Sequence, residues 1–170
     1  VLETRYEPRV ASVDALDPNM ATSGSMIGSG VAYEAGYNGA GTRIAVIDTG
    51  TDTDHQSFNE DAFLHAIAED GKTDSLMTKA DITNVLSELN IAGNDGVTAD
   101  SLYLTAKLPF AYNYVDGDFD VTHDHDSQSE HGSHVAGIAT ANRYIKNSDG
   151  TYSDALDVAH MKGVAPDAQL

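Results

Sequence analysis

The sequence predicts an α/β fold, and three observations carry that prediction. Thr42-Arg43-Ile44-Ala45-Val46-Ile47 is almost continuously apolar and β-branched, as a strand covered on both faces by helices should be. Residues 60–69 and 79–90 repeat apolar residues at helical spacing. From His131 onward a run of Gly, Ser and Ala reads as a helix able to approach a sheet closely, so strands and helices alternate along the chain.

Taken in order, residues 1–30 are mixed and rich in Ser, Gly and Met, with Asp17-Pro18-Asn19 as a turn, which predicts a loosely held leading segment. Val31 to Ala35 predicts a short helix closed by Gly36, and Asn38-Gly39-Ala40-Gly41 a tight turn into the strand. Asp48 sits at the C-terminal end of that strand. Phe63, Leu64 and Ile67 define one helical face over 60–69; Ile82, Val85, Leu86 and Leu89 define another over 79–90, together a packed insertion. Residues 91–101 are Gly, Asn and Asp rich and predict a loop. Lys107 to Val115, with Phe110, Tyr112 and Tyr114 alternating, predicts a second strand. A charged loop fills 116–130, the helix follows from His131 to Asn142, and Asn147-Ser148-Asp149-Gly150 predicts a surface hairpin turn. No internal repeat is visible. The final residues, Ala165 to Leu170, read as a turn feeding a new hydrophobic strand; with no initiating Met either, the sequence reads as a processed or excised piece.

Composition narrows the functions. With 9 basic against 27 acidic residues the formal charge is −18, which repels phosphate backbones and anionic lipid alike, so nucleic acid is excluded as a partner. The absence of Cys removes disulfide frameworks, thiolate nucleophiles and Cys-type zinc sites. No apolar stretch reaches the roughly 18 residues needed to span a bilayer, and Val1-Leu2-Glu3-Thr4-Arg5 lacks the apolar core of an export signal.

The chemistry centres on two residues. A carboxylate at the end of a buried parallel strand, as at Asp48, stands where α/β sheets carry catalytic groups, although Asp-Thr-Gly is also a good turn by itself. His131 at a helix start suits a general base, although a lone histidine there also reads as a cap or surface residue. Together, and in the order Asp before His, they match two members of a Ser-His-Asp triad: the carboxylate accepts from Nδ1–H, and Nε2 receives the proton of an attacking hydroxyl. A metal site is the rival reading. His123, Asp124, His125, Asp126, Glu130, His131 and His134 crowd together, yet Glu130-His131-Gly132-Ser133-His134 fits no zinc-hydrolase spacing. Asp116, Asp118 and Asp120, alternating around Gly117, offer hard oxygen ligands for calcium, against a plain solvated acidic loop.

Ile47-Asp48-Thr49-Gly50 with His55, followed by His131-Gly132-Ser133-His134-Val135-Ala136-Gly137-Ile138, resembles the Asp and His signatures of the subtilisin-like serine proteases, peptidase family S8. The insertion and the 124–130 run are closest in appearance to lactocepin-like cell-envelope proteinases. The resemblance implies a three-layer subtilisin-like fold, a parallel sheet between helices. Residues 31–170 would be the N-terminal part of the catalytic domain, incomplete in this chain, with a helical insertion at about 58–106. It implies that Asp48 and His131 are catalytic, that Thr49 positions the carboxylate, and that Gly50, Gly132 and His134 support the site. It further implies a protein or peptide substrate, no required organic cofactor, and a secreted or cell-surface location.

Departures from the family pattern matter as well. The nucleophile motif, Gly-Thr-Ser followed by small residues and Pro, is absent; Ala21-Thr22-Ser23-Gly24-Ser25-Met26 precedes Asp48 and lacks helical pattern. The Ser would then come from a missing C-terminal part of the domain, beyond Leu170, and the piece alone would be inactive. The oxyanion Asn is not identifiable, Asn142 lying in the His helix. Ser57 stands where the family often has a calcium-binding Asp, and Ser133 replaces the commoner Thr. The other readings left by the sequence are a non-catalytic protease-like binding module and a metal-binding domain.

Overall fold

In the computed structural model, residues 20–91, 96–122 and 130–170 are described. They form seven α-helices: α1 (Met20–Ile27), α2 (Ser29–Glu34), α3 (Glu60–Glu69), α4 (Lys79–Val85), α5 (Ala99–Leu102), α6 (His131–Thr140) and α7 (Ala155–Ala159). One antiparallel pair, β1 (Tyr144–Lys146) and β2 (Tyr152–Asp154), precedes α7. Six helices thus precede the hairpin and one follows it, so the described residues are helical with one small sheet, and the expected alternation of strands and helices is not seen among them.

Local chemistry sets the helix ends. Asn59 caps α3, its side-chain oxygen accepting from the Ala62 amide at 3.0 Å, and Glu60 and Asp61 place negative charge where the helix dipole favours it. At α4 the Thr78 amide donates to Asp81 Oδ2 at 2.7 Å, half of a capping box. Helix α2 closes as expected at Gly36, whose φ of +83° lets the Tyr37 amide reach back to the Ala32 carbonyl at 2.8 Å. The hairpin also falls as predicted, with Ile145 opposite Ser153 and the turn closed by the Asn147 amide on the Thr151 carbonyl at 2.8 Å.

Several expectations are corrected. The leading segment is not loose throughout, because Met20–Ile27 is helical and joined to the body by its Met20 amide, which donates to the His160 carbonyl at 3.1 Å. Its residues 1–19 lie outside the described part. The 79–90 helix breaks after Val85 into a single 3-10 turn over Leu86–Glu88, and the loop ahead of residue 101 gives way to α5, capped by Thr98. Helix α6 ends at Thr140, two residues before Asn142. Residues 107–115 do not form a strand. Asn113 turns the chain back instead, its amide donating to the Asp118 carbonyl at 3.0 Å and its side chain accepting from the Val115 and Asp116 amides.

The predicted strand at 42–47 is extended but has one ladder contact among the described residues, a parallel bridge between Arg43 and Gln169. The Ile44 amide donates to the Gln169 carbonyl at 2.9 Å and the Gln169 amide to the Thr42 carbonyl at 3.0 Å. Ile47 is 98% exposed, so this segment is not sheathed by helices here. A β-strand takes its regularity from neighbours on its edges, and a lone bridge supplies little of it.

Packing falls into three apolar groups. Ile82, Ile91, Leu102 and Tyr112 form one group around α4 and α5; Phe63, Ile67 and Ala106 join α3 to its neighbours; and Phe58 and Leu108 pack against Ala136 of α6. The Gln169 side chain ties Met77 and Ala106 to the 42–44 segment, accepting from the Met77 amide at 2.6 Å and donating to the Ala106 carbonyl at 2.7 Å. Beside it lies a buried charged group. Lys107 donates to the carbonyls of Pro166 and Ala168 at 2.8 and 2.7 Å and stands 4.8 Å over the Phe63 ring. Arg143 donates to Asp70 at 3.0 Å and holds Asp167 at 3.2 Å, in ionic contact but off the line a hydrogen bond needs.

Candidate active site

The extended segment delivers Asp48 to a turn that meets the first residues of α6. His131 Nδ1 lies 2.7 Å from Asp48 Oδ1, and the same oxygen accepts from the Thr49 amide at 2.8 Å. The Asp48 side chain is 18% exposed and that of His131 58%. The His131 hydrogen bond, with that of the Thr49 amide, holds the Asp48 carboxyl below its ordinary range. An ionised carboxylate only accepts, so Nδ1 is the protonated nitrogen and, in the neutral ring, Nε2 carries the free lone pair. That is the tautomer a general base needs.

Close backbone contact makes this possible. A Cβ on Gly132 would fall 2.0 Å from the Gly50 carbonyl oxygen, and one on Gly50, whose φ is +115°, would fall 2.7 Å from the Val121 carbonyl oxygen. Glycine is therefore required at Gly132 if helix and turn are to touch, and at Gly50 if the turn is to lie against the 121–122 backbone. Thr49 Oγ1 accepts from the Gly132 amide at 3.1 Å, and the Thr49 hydroxyl also lowers the Asp48 pKa. One threonine thus bonds the Asp48 carboxylate and the amide of Gly132, the residue after His131. His134, one turn further on, is 75% exposed; its Nε2 stands 4.0 Å from Glu130, a surface pair apart from the Asp48 contact.

The remaining candidates separate from this centre. Asn142 is buried and structural, its Nδ2 donating to the Asn59 carbonyl at 2.8 Å just past the end of α6. His55 Nδ1 accepts from the Ser57 amide at 3.2 Å, capping the short turn Gln56–Phe58. Asp116, Asp118 and Asp120 do not converge: their carboxylates accept from the Asn113 side chain, the Asp120 amide and Thr122 respectively. Among the described residues no three His, Cys, Asp or Glu side chains gather as a metal site. His123, Asp124, His125 and Asp126 of the zinc reading lie outside the described residues. Ser133, read from the sequence only as a replacement for Thr, makes a contact that reading did not foresee: its Oγ accepts from the Asp52 amide at 2.8 Å.

A cleft of about 540 Å³ opens beside Asp48, walled by 45–51, 110–116 and 120–122. Asp48 is among its lining residues, and Phe110, Tyr112 and Tyr114 give it an aromatic side.

A carboxylate bonded to the imidazole at a helix start is an arrangement found in hydrolases that work through a general-base histidine. The chain belongs to the subtilase family, peptidase S8, which it matches over residues 39–170. Its relatives include the PII-type proteinase of Lacticaseibacillus paracasei, 33% identical over 79% of this chain, and the PI-type proteinase of Lactococcus lactis subsp. cremoris, 31% identical over the same share. The minor extracellular protease Vpr of Bacillus subtilis (strain 168) is 29% identical over 94% of the chain. These matches bear out the lactocepin-like resemblance. The chain spans 6% of the length of the first two relatives and 13% of Vpr. No solved structure matches it.

Proposed function

We propose that this chain is the Asp- and His-bearing part of a serine-type endopeptidase. The observation that supports this most is the 2.7 Å contact between His131 Nδ1 and Asp48 Oδ1. In the reaction, His131 Nε2 takes the proton of a serine hydroxyl as its oxygen attacks the scissile carbonyl, and Asp48 stabilises the imidazolium. His131 then returns the proton to the departing amine, and water releases the acyl group by the reverse sequence. Thr49 holds the carboxylate, while Gly50 and Gly132 allow the turn and helix to close on each other.

The serine belongs to a further segment of the same domain, and the exposed side of 44–47 is where additional parallel strands would pair to complete a three-layer sheet. Without the nucleophile, the triad's contribution of about 10⁶-fold is absent, so this chain alone is inactive. Substrates are proteins or peptides, and the site of action is outside the cell or at its surface, as the name of the Vpr relative suggests. No helix among the described residues is long and apolar enough to cross a membrane.

The test is fluorophosphonate labelling of the full-length protein, with the modified residue located by mass spectrometry. Labelling of a single serine outside residues 1–170, lost in His131→Ala, is expected. Labelling that persists in His131→Ala would refute the role given to the imidazole.

A further inference from the structure

We propose that Ser133 is a positioning residue that sets the register of the Asp48–His131 pair; this rests on the protease reading above. The 48–52 turn meets the first three residues of α6 through three bonds in sequence. Asp48 Oδ1 pairs with His131 Nδ1 at 2.7 Å, Thr49 Oγ1 accepts from the Gly132 amide at 3.1 Å, and Ser133 Oγ accepts from the Asp52 amide at 2.8 Å. The neighbouring amide, that of Thr51, donates to the opposite side, to the Val121 carbonyl at 2.8 Å.

The turn is therefore held between α6 and the 121–122 segment, its consecutive amides anchored in opposite directions. One attachment at Thr49 would leave the turn free to pivot about that bond. The second, at Ser133, lies at the far end of the turn and removes the pivot, so the carboxylate is fixed in direction as well as distance. Small errors in the aim of a catalytic group are expensive in rate, because the productive geometry is narrow. Ser133 does this through backbone, touching neither the imidazole nor the cleft beside Asp48.

The test compares Ser133→Ala, Ser133→Thr and Asp48→Asn in the full-length protein, reading kcat and KM on a peptide substrate and, by NMR of ¹⁵N-labelled histidine, the solvent exchange of the His131 Nδ1 proton. Removing one hydrogen bond of ordinary strength should lower kcat about 3- to 10-fold with KM unchanged in Ser133→Ala, and speed exchange of that proton. Ser133→Thr, which keeps Oγ, should restore both. Wild-type kcat and exchange in Ser133→Ala, or a loss of thermal stability alone, would overturn the positioning role, as would a Thr variant as impaired as the Ala one. Wild-type turnover in Asp48→Asn would instead overturn the triad role given to Asp48, and no hydrolysis of any peptide by the wild-type full-length protein would overturn the protease reading, so the failures are distinguishable.

Discussion

The Gly50 carbonyl oxygen occupies the space in which a Gly132 side chain would begin, 2.0 Å from the ideal Cβ position. The contact is between backbone atoms, so no rotamer change relieves it. Gly132→Ala should push α6 away from the turn and break the 2.7 Å bond between Asp48 and His131. The expected outcome is a loss of about 1–3 kcal/mol in urea unfolding, and disappearance of the slowly exchanging His131 Nδ1 proton by NMR.

Asp48 gives a pH prediction whose sign follows from its environment. Its folded pKa lies below the ordinary 3.8, held there first by the His131 hydrogen bond. A depressed carboxyl pKa contributes stability that is fully present above the unfolded value and lost as pH falls through the folded one. Titration of the Asp48 carboxyl carbon by NMR should show its midpoint below 3.8, and His131→Ala should raise it.

Lys107 gives a slope of the same sign in a higher pH window. Burial pushes its ammonium from 10.5 down to about 7, with the Asp167 charge opposing the shift. Between those values the unfolded chain binds more protons than the folded one, so the Lys107 contribution makes stability rise from pH 7 toward 10.5. Lys107→Met should flatten that rise in Tm against pH. It should also cost about 1–3 kcal/mol at neutral pH, because the Pro166 and Ala168 carbonyls lose their donor.

Ile82 is fully buried in an apolar cluster with Ile91, Leu102 and Tyr112. Ile82→Ala should destabilise the protein by about 2–5 kcal/mol in chemical denaturation. The Asp48–His131 bond forms outside that cluster and should persist.

Much of this was legible in the sequence where local rules govern. The span of α3 followed from the apolar face of Phe63, Leu64 and Ile67, and the hairpin from its Asn147–Gly150 turn. The pairing of Asp48 with His131, 83 residues apart, was legible only through their two motifs and their order. Segments 42–47 and 107–115 escaped, because strand character depends on neighbours: the first finds one bridge, to Gln169, and the second is diverted by Asn113. Helix α1 was missed because Met20–Ile27 has no buried stripe pattern, and its Gly and Ser residues are weak helix formers. The Ser133 contact was missed because a side chain bonded to a remote backbone amide leaves no periodic trace.

The central claim is that Asp48 acts through the His131 imidazole. Its most direct test is steady-state hydrolysis of a peptide substrate by the full-length protein carrying Asp48→Asn. An asparagine keeps the shape but can present an N–H to Nδ1, forcing the wrong tautomer, so kcat should fall by about 10⁴ with the fold intact by circular dichroism. Turnover near that of the wild type in a folded Asp48→Asn protein would contradict it.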